Sequence, residues 1–376
     1  MNLLQPLPLL GGLSPQTFMQ RHWQRKPLLI RQAIPGFRPA LDRSALFALA
    51  AQTHVQSRLV IGGKGPAGQD WQLRHGPFVR RSLPPLGQPQ WSLLVQGVDL
   101  LAEPVHQLLN QFRFVPDARL DDVMISYASP GGGVGPHFDS YDVFLLQAHG
   151  RRRWRIGRQK DLSLQEHVPL KILRHFEPEH SYDLEPGDLL YLPPRYAHDG
   201  VAQGECMTWS IGFKSPATGD LAGELLQRLA QDASEELLDD RYRDPGQGAT
   251  AHPAAIPPGL SQFARQAVQR SLRDPLVFAR NLGEHLTEPK PWVWFNAVDG
   301  AELPGAVRLD RRTRMMYDRN HLFINGDSYR ASGTDARLMR RLADSRGLDA
   351  QAMLLASVDA RSLLQAWLDA GWLHAA

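Results

Sequence analysis

The chain has 376 residues, 43% of them hydrophobic and 22% charged, with a formal net charge of +3. This composition is typical of a folded protein of two or three domains and excludes a disordered or fibrous chain, while the absence of an apolar run near ~20 residues predicts no membrane-spanning segment. The single cysteine, Cys206, excludes an internal disulfide and a cysteine-rich metal motif and favours a reducing cytoplasmic location.

Residues 1–215 contain short apolar runs separated by glycine and proline. Ser14 is a candidate N-cap for a helix that carries Phe18 and Trp23 and ends before Pro27. Many short strands joined by such turns predict a barrel or sandwich. The predicted strands lie in PLLIRQ, WSLLVQG, DDVMISYAS, YDVFLLQA, RRWRIG, SYDLEPGDLLYLPP and MTWSIGFK.

Two further segments with different sequence patterns follow residue 215. Residues 216–290 have apolar residues at helical spacing, interrupted by the loop DPGQGATAHPAAIPPG, and predict either a dimer interface or a helical layer packed on the strand domain. Residues 291–376 combine short strands, with turns at Asp318–Asn320 and at NGD, and two helices, as a winged-helix module does. Acidic and basic residues nearly balance there, which argues against direct nucleic-acid binding.

The stretch GPHFDSYDVFLLQ places His137 two residues before Asp139 at the start of an apolar run. In a strand, residues i and i+2 share a face, so the two side chains are expected to point together. An imidazole nitrogen with a carboxylate oxygen suits Fe(II), Mn or Zn once a third ligand joins them. A surface histidine followed by a turn-capping aspartate has the same sequence, so the pair alone does not establish a metal site.

The stretch EPGDLLYLPPRYAHDG supplies the third ligand. His198 follows His137 by 61 residues (198 − 137), which leaves room for several strands to go out and return beside the first. Two histidines and one carboxylate form the facial triad of non-haem Fe(II) oxygenases. The weaker candidates, in turns or polar stretches, are His149, His167, His175 and His180.

An arginine for a dicarboxylate co-substrate is expected in GRRRWRIG, after a predicted hairpin at His149–Gly150. Period-two alternation places Arg152 on the interior face with Trp154 and Ile156. A buried arginine without a partner is costly, and a carboxylate ligand would satisfy it. A structural salt bridge inside the barrel is the alternative.

Two hydroxyl side chains are further candidates near that arginine. Ser126 shares a strand face with Met124 and Ala128, and Thr208 lies in the later strand MTWSIGF. Either hydroxyl would hydrogen-bond a co-substrate or serve as a satisfied core residue, and the sequence leaves both possibilities open.

Three stretches together resemble the bacterial ribosomal oxygenases of the JmjC type, in particular the family that hydroxylates an arginine of large-subunit ribosomal protein sixteen. The stretches are SPQTFMQRHWQRKPLLIRQA, DDVMISYASPGGGVGPHFDSYDVFLLQAHGRRRWRIG and EPGDLLYLPPRYAHDGVA. The resemblance implies that His137, Asp139 and His198 bind Fe(II) and that Arg152 binds 2-oxoglutarate, with molecular oxygen as the second co-substrate. Tyr141 and Asp142 stay unassigned.

The resemblance also implies a mixed α+β fold. The expected domains are a JmjC/cupin catalytic domain with a double-stranded β-helix (1–215), a helical dimerisation segment (216–290) and a winged-helix-like domain (291–376). The expected protein is a cytoplasmic, homodimeric dioxygenase that acts on a ribosomal protein. The alternatives are a histidyl hydroxylase, a demethylase of another protein, and a non-oxygenase metal-binding cupin.

Overall fold

Two units make up the computed structural model, Met1–Ser215 and Pro216–Ala376. Across the described part of the chain, no helix has the length and hydropathy that crossing a bilayer requires. The structure describes residues 2–62, 71–236, 241–272, 274–298, 300–330 and 332–376.

The first unit is an antiparallel β structure, and its short helices all precede the strand Leu120–Ala128 in the sequence. Its helices are α1 (Pro15–Arg21), α2 (Arg43–Ala50) and α3 (Glu103–Asn110). Its strands are β1 (Leu28–Ile30), β2 (Ser57–Ile61), β3 (Gln72–His75), β4 (Trp91–Val95), β5 (Leu120–Ala128), β6 (Val143–Gly157), β7 (His180–Leu184), β8 (Leu189–Leu192) and β9 (Ala197–Phe213).

Two long strands, β6 and β9, lie at the centre of the sheet, whose order is β1-β8-β6-β9-β5-β4-β2-β3. On its other edge β6 pairs with β8 along its first half and with β7 along its second half. A long strand that changes partners in this way can curve around an interior. The interior-facing side chains of β5, β6 and β9 are therefore brought towards one another.

The hairpin predicted at His149–Gly150 is wrong. Strand β6 runs straight through these two residues, and the register against β9 shifts on both sides of His149. Gly150 has φ +62°, and a Cβ there would lie 2.1 Å from the Glu205 carbonyl oxygen. The glycine that indicated a turn instead forms a bulge in which β6 and β9 stay in contact.

The core of this unit lies on one face of β5, where Val123, Ile125 and Tyr127 are buried as their alternation predicts. Helix α1 begins at its predicted N-cap, since the Ser14 hydroxyl accepts a hydrogen bond from the Thr17 amide (3.1 Å). The helix contributes the fully buried Phe18 to the same core.

The second unit combines helices with two three-stranded sheets. Its helices are α4 (Thr218–Glu236), α5 (Pro258–Ser271), α6 (Pro275–Thr287), α7 (Gly333–Ser345), α8 (Ala350–Met353) and α9 (Val358–Asp369). Its strands are β10 (Val307–Leu309), β11 (Met315–Tyr317), β12 (Leu322–Ile324), β13 (Asp327–Tyr329), β14 (Gly347–Leu348) and β15 (Leu373–Ala375).

The hairpins of this unit follow the predicted turns. Asp318 accepts hydrogen bonds from the Asn320 and His321 amides between β11 and β12 (2.7 and 2.6 Å). Asn325 and Gly326 both have positive φ between β12 and β13, as a tight two-residue turn requires. Helix α6 packs closely on β12, because a Cβ at Gly283 would lie 2.2 Å from the Phe323 ring.

Candidate active site

The predicted metal ligands converge although they come from separate half-motifs. His137 and His198 form an isolated antiparallel bridge, in which each amide donates to the other residue's carbonyl (3.0 and 2.8 Å). The ligand atoms of His137, Asp139 and His198 all lie within 4.8 Å of one another. The segment from His137 to Asp139 is this bridge and an extended loop, not the regular strand that was expected, since β6 begins only at Val143.

Backbone carbonyls hold both imidazole rings in one orientation. The Nδ1 of His137 lies 2.9 Å from the Gly135 carbonyl oxygen, and the Nδ1 of His198 lies 3.0 Å from that of Tyr196. A carbonyl only accepts hydrogen bonds, so Nδ1 carries the proton and Nε2 keeps its lone pair. In His198 this Nε2 is 3.7 Å from an oxygen of Asp139.

The electrostatic setting keeps His198 neutral. The side chain is buried, and that burial, followed by the adjacent His137, lowers the pKa of His198 to about 4. A neutral imidazole is the form that binds a metal ion. Two imidazole nitrogens and one carboxylate oxygen within this space fit a divalent ion such as Fe(II), with further coordination positions left for other ligands.

The interior arginine lies where the alternation predicted it. Along the second half of β6, Arg152, Trp154 and Ile156 are buried. The neighbouring arginines point outwards and pair with acidic residues of adjacent strands: Arg151 with Glu185, Arg153 with Asp183 and Arg155 with Asp199. Among the described residues, no carboxylate pairs with Arg152, so the structural salt bridge considered above is absent.

Hydroxyl groups from two strands contact Arg152. Its Nη1 donates to Ser126 Oγ (3.2 Å) and to Thr208 Oγ1 (3.1 Å), while its buried Nε has no hydrogen-bond partner. The Cζ atom lies 5.3 Å from the centre of the Trp154 ring, and that ring lies 5.8 Å from the His198 ring. The arginine therefore presents an uncompensated charge to the interior close to the triad, as a carboxylate-binding site requires.

Gln147 completes this arrangement and was not identified from the sequence. The Thr208 hydroxyl donates to Gln147 Oε1 (3.0 Å), and Gln147 Nε2 donates to the carbonyls of His149 (2.8 Å) and Gly150 (3.3 Å). Because the Thr208 hydroxyl donates its hydrogen to Gln147, its oxygen has a lone pair that accepts from Arg152. In the sequence, Gly150 was the signal for the bulge that Gln147 contacts, but it was interpreted as a turn.

The two unassigned residues that follow the H-x-D triplet have different roles. Asp142 is fully buried and accepts hydrogen bonds from the Tyr191 hydroxyl (2.5 Å) and the Gln24 amide (3.0 Å), so it stabilises the fold. Tyr141 is 39% exposed. Burial, followed by the neighbouring carboxylates of Asp139 and Asp122, raises the pKa of Tyr141, and the nearby Arg58 acts in the opposite direction.

The four weaker histidine candidates named from the sequence are exposed and lie outside this cluster. They are His149, His167, His175 and His180.

Two sequence families and several known proteins match the chain. The JmjC domain family matches residues 107–221, and the ROXA-like winged-helix family matches residues 269–374, a range that includes α6. The chain is 38% identical over 276 residues to the ribosomal protein uL16 3-hydroxylase of Escherichia coli (73% of this chain, 71% of that protein). It is 30% identical to a probable ribosomal oxygenase of Haemophilus influenzae (90% of this chain, 87% of that protein).

Solved structures match over almost the whole chain. The ribosomal oxygenase YcfD from Escherichia coli, in complex with cobalt and 2-oxoglutarate, aligns with a TM-score of 0.79 and 31% identity over 95% of this chain and 96% of that chain. Together with the two family matches, this similarity confirms the predicted fold class, a mixed α+β protein with a JmjC/cupin β structure, helices and a winged-helix C-terminal part.

Proposed function

The chain belongs to the JmjC-type ribosomal oxygenases, and we propose that it is an Fe(II)- and 2-oxoglutarate-dependent oxygenase that hydroxylates an arginine of a large-subunit ribosomal protein. The observation that carries this proposal is the convergence of His137, Asp139 and His198 close to the unpaired charge of Arg152. A metal-binding cupin without oxygen chemistry has no need for that buried charge.

The iron would be held by the Nε2 atoms of His137 and His198 and by a carboxylate oxygen of Asp139. Bound Fe(II) supplies the oxidation chemistry: dioxygen converts 2-oxoglutarate to succinate and carbon dioxide, and one oxygen atom enters a substrate C–H bond. The carbonyls of Gly135 and Tyr196 keep both Nε2 atoms directed inwards. Orientation of the ligands before binding reduces the entropy cost of assembling the site.

Arg152 binds the far carboxylate of 2-oxoglutarate in this proposal. The Ser126 and Thr208 hydroxyls hold its guanidinium, and Gln147 fixes the direction of the Thr208 lone pair. Because the site is buried, the ion pair between guanidinium and carboxylate is poorly screened by water. The co-substrate is thereby held in a single orientation relative to the metal ligands.

Two carboxylates near the Tyr141 hydroxyl support a cationic target side chain. Asp122 lies on β5 at a register irregularity between Leu120 and Val123, and its carboxylate accepts a hydrogen bond from the Gly97 amide (2.9 Å). The carboxylates of Asp122 and Asp139 both interact electrostatically with the Tyr141 hydroxyl, as does the guanidinium of Arg58. A carboxylate beside a hydroxyl complements a guanidinium better than a neutral imidazole, which favours arginine over histidine.

Comparing ribosomal proteins from a wild-type strain and a strain that lacks this gene tests the proposed function. We expect one large-subunit protein to lose the mass of one oxygen atom, and fragmentation to locate that atom on an arginine. Re-expression of the wild-type chain restores the mass, whereas the Asp139→Ala variant does not. An unchanged set of masses contradicts the proposal, and an oxygen found on histidine supports a histidyl hydroxylase instead.

Exposed apolar residues on α4–α6 support the proposal that the chain forms a homodimer through this segment. Leu226 is 59% exposed, Val268 62% and Phe278 47%. Apolar side chains that stand out from consecutive helices are typical of an interface.

Light scattering is expected to give twice the chain mass of 42.1 kDa for the wild-type protein. Leu226→Glu combined with Val268→Glu is expected to give the monomer mass, because buried unpaired charges disrupt an apolar interface. Leu354→Glu is the matched control, since Leu354 is 78% exposed at the end of α8. A monomer mass for the wild-type protein contradicts the dimer.

A further inference from the structure

A groove of about 310 Å³ in the unit Met1–Ser215 is lined by four basic side chains. Its other lining residues in the described part of the chain are polar or apolar, and none of them is acidic. The basic residues come from three separate stretches, at the end of α1, after β6 and between β8 and β9, so the fold rather than a local run brings them together. They are Arg25, Arg158, Lys160 and Arg195.

The protein compensates the charges of the groove only in part. Among the described residues, none of the four basic side chains forms an ion pair. The guanidinium groups of Arg158 and Arg25 donate only to backbone carbonyls, those of Arg25 and Gln20 respectively. At the groove wall, the Glu179 carboxylate accepts from the Tyr196 hydroxyl (2.7 Å) and interacts electrostatically with Arg158, so one negative charge faces four positive charges. Four like charges in one groove repel one another unless an anion binds between them.

The groove is joined to the candidate active site through the backbone. The Arg195 amide donates to the Asp139 carbonyl (2.7 Å), and the Tyr196 carbonyl accepts from His198 Nδ1. Arg195 has φ +62°, a left-handed conformation that turns the chain sharply between β8 and β9. A ligand in the groove therefore lies beside the loop between β8 and β9, which hydrogen-bonds to two of the proposed metal ligands, Asp139 and His198.

We propose that this groove binds phosphate groups of RNA that accompanies the ribosomal-protein substrate, an inference that rests on the proposed function. A cationic groove repels a cationic target segment and attracts a polyanion bound to it. Arginine guanidinium groups, three of the four cations, suit phosphate oxygens because they donate in a planar fork. The near-neutral C-terminal part argued against nucleic-acid binding, but the cluster lies elsewhere in the chain.

Fluorescence anisotropy with a single-stranded RNA of about 12 nucleotides tests this groove. Arg25→Gln combined with Lys160→Gln is expected to weaken binding about tenfold and to reduce the slope of log K against log salt by about 1.4, because two phosphate contacts are lost. The matched control is Arg38→Gln combined with Arg81→Gln, two exposed arginines outside the groove, which is expected to keep the wild-type slope.

Wild-type affinity and slope in the groove variant would overturn the proposal. Displacement of the RNA by polyglutamate at lower concentration than by unlabelled RNA would also overturn it, in favour of an acidic peptide. The groove variant is expected to hydroxylate an isolated ribosomal-protein fragment at the wild-type rate and to unfold at the wild-type temperature. Failure of the proposed function can be distinguished from failure of the groove proposal, because the wild-type protein itself would then leave that fragment unmodified.

Discussion

Asp139→Ala is expected to abolish the conversion of 2-oxoglutarate to succinate. The substitution removes the single carboxylate of the triad and leaves two imidazoles, which bind Fe(II) weakly because the negative charge and one coordinating atom are lost. The loss should exceed about 100-fold, the effect reached when only a supporting partner of a metal ligand is removed. Succinate release with Fe(II) and ascorbate measures the reaction, and titration with Mn(II) measures the metal site.

Asp183→Ala is the matched control for this variant. Asp183 pairs with Arg153 on the outer side of β6 and is partly exposed, so its removal is expected to leave turnover near the wild-type rate. Wild-type turnover in Asp139→Ala would contradict the metal site. A wild-type protein that produces no succinate with iron and ascorbate present would contradict the oxygenase function altogether.

Arg152→Met is expected to raise the KM for 2-oxoglutarate roughly a hundredfold. The variant keeps an unbranched side chain but removes the charged donor, and a buried hydrogen-bonded charge pair of this kind is worth about 3 kcal/mol. Steady-state kinetics over a range of 2-oxoglutarate concentrations give KM and kcat separately. Because iron binding does not use Arg152, Mn(II) affinity is expected to stay at the wild-type value.

Thermal unfolding separates binding from a purely structural effect of Arg152. With Mn(II) present throughout, 2-oxoglutarate at a concentration that saturates the wild-type protein is expected to raise its melting temperature, since a ligand that binds only the folded state stabilises it, and to raise that of Arg152→Met much less. Arg153→Met, the next residue on the outward face, should keep the wild-type KM and ligand effect. An unchanged KM in Arg152→Met would assign Arg152 to the fold alone.

Features with a local period were predictable from the sequence. The two-residue alternation along β5 and the second half of β6 identified the buried faces, including the interior position of Arg152. The Ser14 N-cap and the turn at Asp318–Asn320 were also predictable, because each depends on hydrogen bonds between residues two or three positions apart. Helices α2 and α3 and strands β2 and β3 were not predicted, and each of them spans only four to eight residues.

Features that depend on distant partners were not predictable in the same way. Asp142 is adjacent to Tyr141 in the sequence, but it is buried. Its hydrogen-bond partners, Tyr191 and Gln24, lie 49 and 118 positions away in the chain. The glycine at position 150 indicated a turn, yet the backbone of β9 lies against it and converts the turn into a bulge. Gln147 acquires its role only because that bulge presents two carbonyl groups to its amide.

The sequence by itself determined the donor set, two histidines and one aspartate with an inward arginine, because residue type and strand alternation are local properties. Only the tertiary structure decided that His137 meets His198 across 61 residues, that Ser126, Thr208 and Gln147 hold Arg152, and that four basic residues share one groove. Such contacts follow from strand pairing between distant segments, whose register is set by the packing of the whole sheet.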